Sequence, residues 1–197
     1  FYIRNHFSGV PNLDRAKWQL VIDGEVRQPL TLSFADILTM PSTELVMTME
    51  CAGNSRSYVT PPAEGLAFRP GAVSAARWKG VPVNPLLDRA GLKNGAAEVV
   101  FEGADYGREE EDGVAFDLHY RRSLPLEKAR HPDTLLAYEM NGEELPSGHG
   151  FPLRLVVPGW YGMASVKWLT RINVLDQPFD GFFQQRRYVI INEGSED

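Results

Sequence analysis

The stretch Glu50-Cys51-Ala52-Gly53-Asn54-Ser55-Arg56 sets a thiol among small residues, with an arginine five positions on. Small neighbours let a bulky group approach the sulfur. Arg56 would favour the thiolate and attract an anion. A thiolate is a soft metal ligand and also a nucleophile, so the local chemistry suits either a metal or covalent catalysis. Cys51 is the only cysteine, which excludes an intrachain disulfide and any zinc site built from several thiolates. The bland alternative is a small buried hydrophobe.

Other residues carry complementary chemistry. Arg4-Asn5-His6 packs a fixed cation, an amide and a titratable ring into consecutive positions. His149 stands between Gly148 and Gly150, ahead of Arg154, and Lys167 follows Ser165-Val166. Donors of this kind bind a phosphate or a polar heterocycle, although each taken singly is an ordinary surface charge or loop hydrogen bond. A cysteine hydrolase using Cys51, His149 and an Asn or Asp would explain the thiol but not the arginines and the lysine. A cofactor-free binding or assembly subunit is a further alternative.

These residues need elements to hold them. Leu45 to Glu50 reads as a strand that delivers Cys51 to a glycine-containing turn. Trp18 to Ile22 reads as a strand followed by the hairpin signal Asp23-Gly24, and Leu135 to Met140 as a strand closed by Asn141-Gly142. Ser33 to Leu38 reads as a short helix capped by Ser33, and Pro85 to Ala90 as another with Gly91 past its end. Leu124 to Ala129 gives one helical turn. Val99 to Gly103, Leu153 to Val157 and Val166 to Val174 give strands, and Ala104 to Val114 a long polar loop. The fold class predicted is α+β, mostly β, with mixed sheets and few short helices. Beyond Asp176 the pattern weakens, and Phe179, Phe182, Phe183 and Tyr188 have no evident partner within the chain. The expected division is a catalytic domain over 1–176 and a C-terminal extension, or the start of a further domain, over 177–197.

The composition is that of an ordinary globular protein, and the formal net charge of -6 argues against a general nucleic-acid role. Glu109, Glu110, Glu111 and Asp112 read as a solvated loop tip, or else as a rim for a basic partner. No apolar run approaches the ~20 residues of a membrane-spanning helix. The chain starts at Phe1 without a signal-peptide pattern, which suggests a processed or trimmed chain.

Taken together, Phe1 to Pro11, Glu50 to Arg56, Gly65 to Gly80 and Leu135 to Ile172 resemble the molybdopterin-binding domain of the sulfite oxidase family, in a bacterial-type member. Cys51-Ala52-Gly53-Asn54 carries the likeness. So does the run from Ala137-Tyr138-Glu139-Met140-Asn141-Gly142 through His149-Gly150-Phe151-Pro152-Leu153-Arg154 and Val157-Pro158-Gly159 to Val166-Lys167-Trp168-Leu169.

The resemblance implies a molybdenum held by a pterin dithiolene and by one cysteine, Cys51. Arg4, Asn5, His6, Asp105, His149, Arg154, Ser165, Val166 and Lys167 fall where the family binds the pterin and its phosphate. Arg4 and Arg56 match the arginines facing an anionic substrate. Tyr120, in Tyr120-Arg121-Arg122-Ser123-Leu124-Pro125-Leu126, matches the active-site tyrosine. The implied activity is oxygen-atom transfer, most specifically sulfite to sulfate, with electrons passed to an acceptor such as a cytochrome c. The alternative within the fold is a nitrate or sulfoxide reductase. The resemblance also implies a periplasmic location and a homodimer formed through a domain not in this chain. Phe68 stands where vertebrate members carry a tryptophan, and the acidic stretch from Tyr106 to Phe116 is unlike the animal enzymes.

Overall fold

The structure, a computed structural model, describes residues 1–62 and 67–188. Gly65, at the edge of one stretch quoted above, and residues 189–197 of the expected extension lie outside the described residues. Two sheets organise the rest. The first runs in the order β2 (Leu30–Ser33), β1 (Gln19–Gly24), β10 (Leu169–Leu175), β5 (Glu98–Glu111) and β6 (Val114–Pro125). The second runs β3 (Thr43–Glu50), β4 (Val73–Pro82), β7 (Leu135–Met140) and β8 (Glu143–Glu144), with β9 (Arg154–Val156) also pairing β7. Among the described residues only β1 and β10 pair in parallel, so the first sheet is mixed and the second antiparallel. The helices are short: α1 (Phe34–Leu38), α2 (Val83–Ala90), α3 (Leu126–Ala129) and α4 (Phe182–Gln185). The mostly-β α+β class is as expected.

Local chemistry explains several boundaries. Ser33 accepts from the Asp36 backbone N–H, and Asp36 Oδ2 accepts from the Ser33 backbone N–H at 2.8 Å, a complete capping box that starts α1. Asn141 and Gly142 take φ of 57° and 85°, the conformation a two-residue hairpin turn demands, and join β7 to β8.

The main apolar core joins the first sheet to α1 and α2 through Leu20, Ile22, Ile37, Leu87 and Phe101, all fully buried. A second cluster, around Met47, Met49, Trp78 and Leu135, lies on the second sheet. Burying a side chain of this size contributes about 1.5–3 kcal/mol. The alternation along β3 buries Met47 and Met49, and two-residue periodicity aims Cys51 the same way.

Four expectations need correction. Asp23-Gly24 does not turn the chain: both remain paired to Asn173 and Val174 in β10, and the reversal falls over 25–29. Val166 to Trp168 are not strand; β10 begins at Leu169, after Trp168 takes a left-handed φ of 51°. The supposed loop from Ala104 to Val114 is instead the distal half of a long β5–β6 hairpin, turned at Asp112-Gly113 with φ of 53° and 74°. Two of its acidic residues are tied back to the chain, while Glu110 and Asp112 stay exposed. Glu109 pairs with His6 and Arg187, and Glu111 with Arg186 and Arg187. Finally, the apolar residues after Asp176 do find partners in the chain. Phe183 is 1% exposed and packs against Phe7, Tyr120 and His6.

Candidate active site

A cavity of about 80 Å³, partly open to solvent, collects residues from both sheets and from the N-terminal arm. Cys51 reaches it from the end of β3. Its backbone N–H donates to Ala72 O at 2.9 Å, and the Gly53 N–H donates to its Sγ at 3.4 Å. The neighbouring Asn54 fixes this loop: its Oδ1 accepts from the N–H groups of Gly71 and Ala72, and its Nδ2 donates to Glu50 Oε1. The thiol is half-buried and stands in the cavity wall rather than inside the apolar core.

Asp105 and Tyr120 arrive together. The β5–β6 register slips between Glu102 and Tyr106, so that Gly103, Ala104 and Asp105 stand opposite Tyr120. Extra residues of this kind re-aim side chains. The Asp105 carboxyl is buried, its Oδ1 has no partner among the described residues, and burial pushes its ionisation up to about 7. Gly103 is required beside it, because a Cβ there would lie 2.4 Å from that Oδ1. The Tyr120 hydroxyl donates to Met163 O at 2.7 Å, and burial holds its ionisation well above the usual phenol value.

The cationic wall comes from the β9 and β10 approaches. Arg154 is 3% exposed and donates to the carbonyls of His149 and Ser165 at 2.9 and 3.0 Å; its guanidinium lies 4.9 Å from the Trp78 ring centroid. Lys167 donates to Asn5 Oδ1 and, at 2.9 Å, to Gly148 O. Burial first, then the neighbouring Arg154, lower the Lys167 ionisation to about 7. The same two causes in the same order, with Lys167 as a third, keep the His149 imidazole below its ordinary value, so it is neutral at pH 7. Gly150 has φ of 110°, and a Cβ there would press on Arg154 and Lys167 at 3.0 and 3.1 Å. The position therefore admits only glycine without displacing the cations.

Most of the residues singled out from sequence thus meet at one cavity: Arg4, His6, Cys51, Asp105, Tyr120, His149, Arg154, Ser165 and Lys167 all line it. Asn5 touches it through Lys167. Two do not reach the wall. The Val166 side chain is 1% exposed in the main core, and its backbone N–H and C=O are engaged by Ala164 and Leu155. Arg56 is not among the lining residues; its Nη2 stands 3.5 Å from where a Gly53 Cβ would lie. Sequence reasoning missed Tyr2, Met49, Met163, Trp168 and Tyr188, which also line the cavity. Met49 was legible from β-strand periodicity with Cys51, and Trp168 from adjacency to Lys167. Tyr188, with φ of 58°, carried no such signal. A second opening shares Tyr2, Arg4 and Cys51 with the first and adds Phe68 and Arg69.

A family model described as an oxidoreductase molybdopterin binding domain matches residues 6–183. The chain belongs to that family. This molybdopterin-binding domain is 44% identical over 195 residues to the mitochondrial sulfite oxidase of Macaca fascicularis, covering 95% of this chain and 34% of that protein. It is 36% identical over 191 residues to a Brassica napus NADH nitrate reductase, covering 94% of this chain and 20% of that one. The crystal structure of the sulfane dehydrogenase SoxCD from Paracoccus pantotrophus matches with a TM-score of 0.80 at 34% identity, over 93% of this chain and 44% of that chain. The domain spans about a third of the length of the sulfite oxidase.

The family implies a molybdenum–molybdopterin cofactor, and the cavity of this domain fits one. It offers a soft sulfur donor at the wall, buried cations suited to a phosphate, and polar atoms on Asp105 and His6 that lack partners among the described residues. The hydrolase alternative accounts for neither the family match nor the cations that share the cavity with Cys51 and His149.

Proposed function

We propose that the domain is the catalytic part of a molybdenum oxidoreductase that oxidises a small sulfur oxyanion, sulfite being the best-supported substrate, and passes electrons to a cytochrome-type acceptor. One observation carries this reading: a cysteine sulfur, the guanidinium of Arg4 and the buried cations Arg154 and Lys167 line a single cavity. The sulfite oxidases among the relatives support the substrate.

When bound, the molybdenum cofactor supplies oxygen-atom transfer and takes up the two electrons released. Cys51 would ligate the metal through sulfur and tune it as a strong donor. Arg154, Lys167 and Ser165 would hold the pterin phosphate. His149 is neutral at pH 7 and can serve as donor or acceptor to the pterin without adding charge. Asp105, His6 and Asn5 would contact the pterin ring system. Arg4 would attract and orient the substrate dianion, with Arg56 adding to the field from beside Gly53. The Tyr120 proton is committed to Met163 O, so the tyrosine serves a guest as an acceptor unless that bond opens.

Elemental analysis of the purified protein, with pterin fluorescence and turnover of sulfite against an artificial acceptor, tests the proposal. Molybdenum, pterin and sulfite turnover together are the expected result. Metal-loaded protein that reduces nitrate and leaves sulfite untouched would favour the second reading, which rests on the nitrate reductase similarity.

A further inference from the structure

The β5–β6 hairpin reaches back over the N-terminal arm, and its residue Glu109 meets His6. Glu109 Oε1 lies 2.9 Å from His6 Nε2, and both side chains are largely buried, at 14% exposure for His6 and 21% for Glu109. A carboxylate has no proton to give in such a bond, so Nε2 carries the hydrogen and donates it. The other ring nitrogen, Nδ1, is buried and has no partner among the described residues.

The ring itself cannot swing away. It stacks on Tyr120 with centroids 5.5 Å apart, and meets Phe183 and Phe7 edge-to-face at 4.2 and 5.0 Å. Glu109 is anchored in turn, with Arg187 Nη2 3.7 Å from its second oxygen. The charged groups around His6 are therefore Glu109 from β5, Arg4 from its own arm and Arg187 from the segment after α4.

We infer that Glu109 is a positioning residue that locks His6 in the Nε2–H tautomer, so that Nδ1 is presented to the cavity's guest as a hydrogen-bond acceptor. A buried acceptor left without a donor is costly, and His6 lines the cavity, so a donor on the guest is what completes the set. An N–H of the pterin ring system is a donor of the right kind. This rests on the reading that the cavity holds that cofactor. The role falls to a hairpin that the sequence presents as a plain acidic stretch.

The test is imidazole-nitrogen NMR on the chain as purified, with the His6 signals assigned through His6→Gln, alongside its pterin content. His6 should show the Nε2–H tautomer. In Glu109→Ala it should shift toward Nδ1–H, and pterin retention should fall roughly threefold to tenfold, the effect of one lost hydrogen bond. Glu109→Gln keeps an accepting oxygen and should restore both. Arg187→Ala loosens the clamp but spares the His6–Glu109 bond, and should leave the tautomer unchanged, which a merely structural role for the hairpin would not. An Nδ1–H tautomer in the unaltered protein, or identical tautomer and pterin content in Glu109→Ala, would overturn the inference. An unaltered protein with the Nε2–H tautomer, lost in Glu109→Ala, yet without pterin would sink the cofactor reading and leave Glu109's control of the ring standing.

Discussion

The carboxyl of Asp105 and the ammonium of Lys167 line one cavity, and burial moves their ionisations toward about 7 from opposite directions. As pH rises through that value Lys167 loses its positive charge and Asp105 gains a negative one. Both changes disfavour an anionic guest, so retention of the phosphate-bearing cofactor should weaken with rising pH and binding should take up protons. Pterin content after dialysis across a pH series measures this, and retention that strengthened with pH would contradict it. Asp105→Asn removes one of the two groups and should flatten the dependence.

Cys51→Ser replaces a soft donor with a hard one while leaving the loop pinned by Asn54. The folded protein should still bind pterin, and sulfite turnover should fall by more than roughly a hundredfold, beyond what loss of an outer-shell partner costs. Full turnover in this variant would rule out the ligand role.

Arg4 and Arg56 should separate in steady-state kinetics. Arg4 stands in the cavity wall, so Arg4→Gln removes a charged hydrogen bond and should raise KM about tenfold to a hundredfold. Arg56 stands beside Gly53 and outside the lining, so Arg56→Gln should raise KM roughly two- to threefold, with kcat little changed. A larger effect at Arg56 than at Arg4 would reverse their proposed roles.

Gly103→Ala should disturb the site without replacing a titratable residue. The added methyl would stand 2.4 Å from Asp105 Oδ1 and 2.6 Å from Lys167 O, forcing the strands apart. Overpacking of this kind costs about 1–3 kcal/mol. Thermal denaturation should show it, together with reduced pterin content. A variant with unaltered stability would mean that the bulge yields freely.

The sequence made some of this legible for identifiable reasons. Ser33 with Asp36, and Asn141 with Gly142, are local signals whose chemistry is complete within a few residues, and both are realised. Cys51 was legible because small residues and an arginine surround it. The β5–β6 hairpin was not, because the acidic run outweighed the turn signal Asp112-Gly113 that sits within it. Glu109 and Glu111 of that run are paired by Arg186 and Arg187, some 75 residues away, a pairing no local window contains. Val166 was placed at the site by its neighbours Ser165 and Lys167, whereas its own side chain turns into the core. Phe183 looked unpartnered for the opposite reason: its partners Phe7 and His6 lie at the far end of the sequence.

Residues 1–7 belong to no strand or helix, and their hold on the rest includes the bonds from Tyr2 to Ser74, Asn5 to Lys167 and His6 to Glu109. The arm is thus a side of the chamber held by side-chain contacts and not by sheet pairing, and lifting it would tear no sheet. A guest seated against Arg4 and His6 pins it down, and an empty chamber leaves it freer to peel. Cleavage by trypsin after Arg4 would then serve as a clock for occupancy, slow in the loaded molecule and fast in the vacant one.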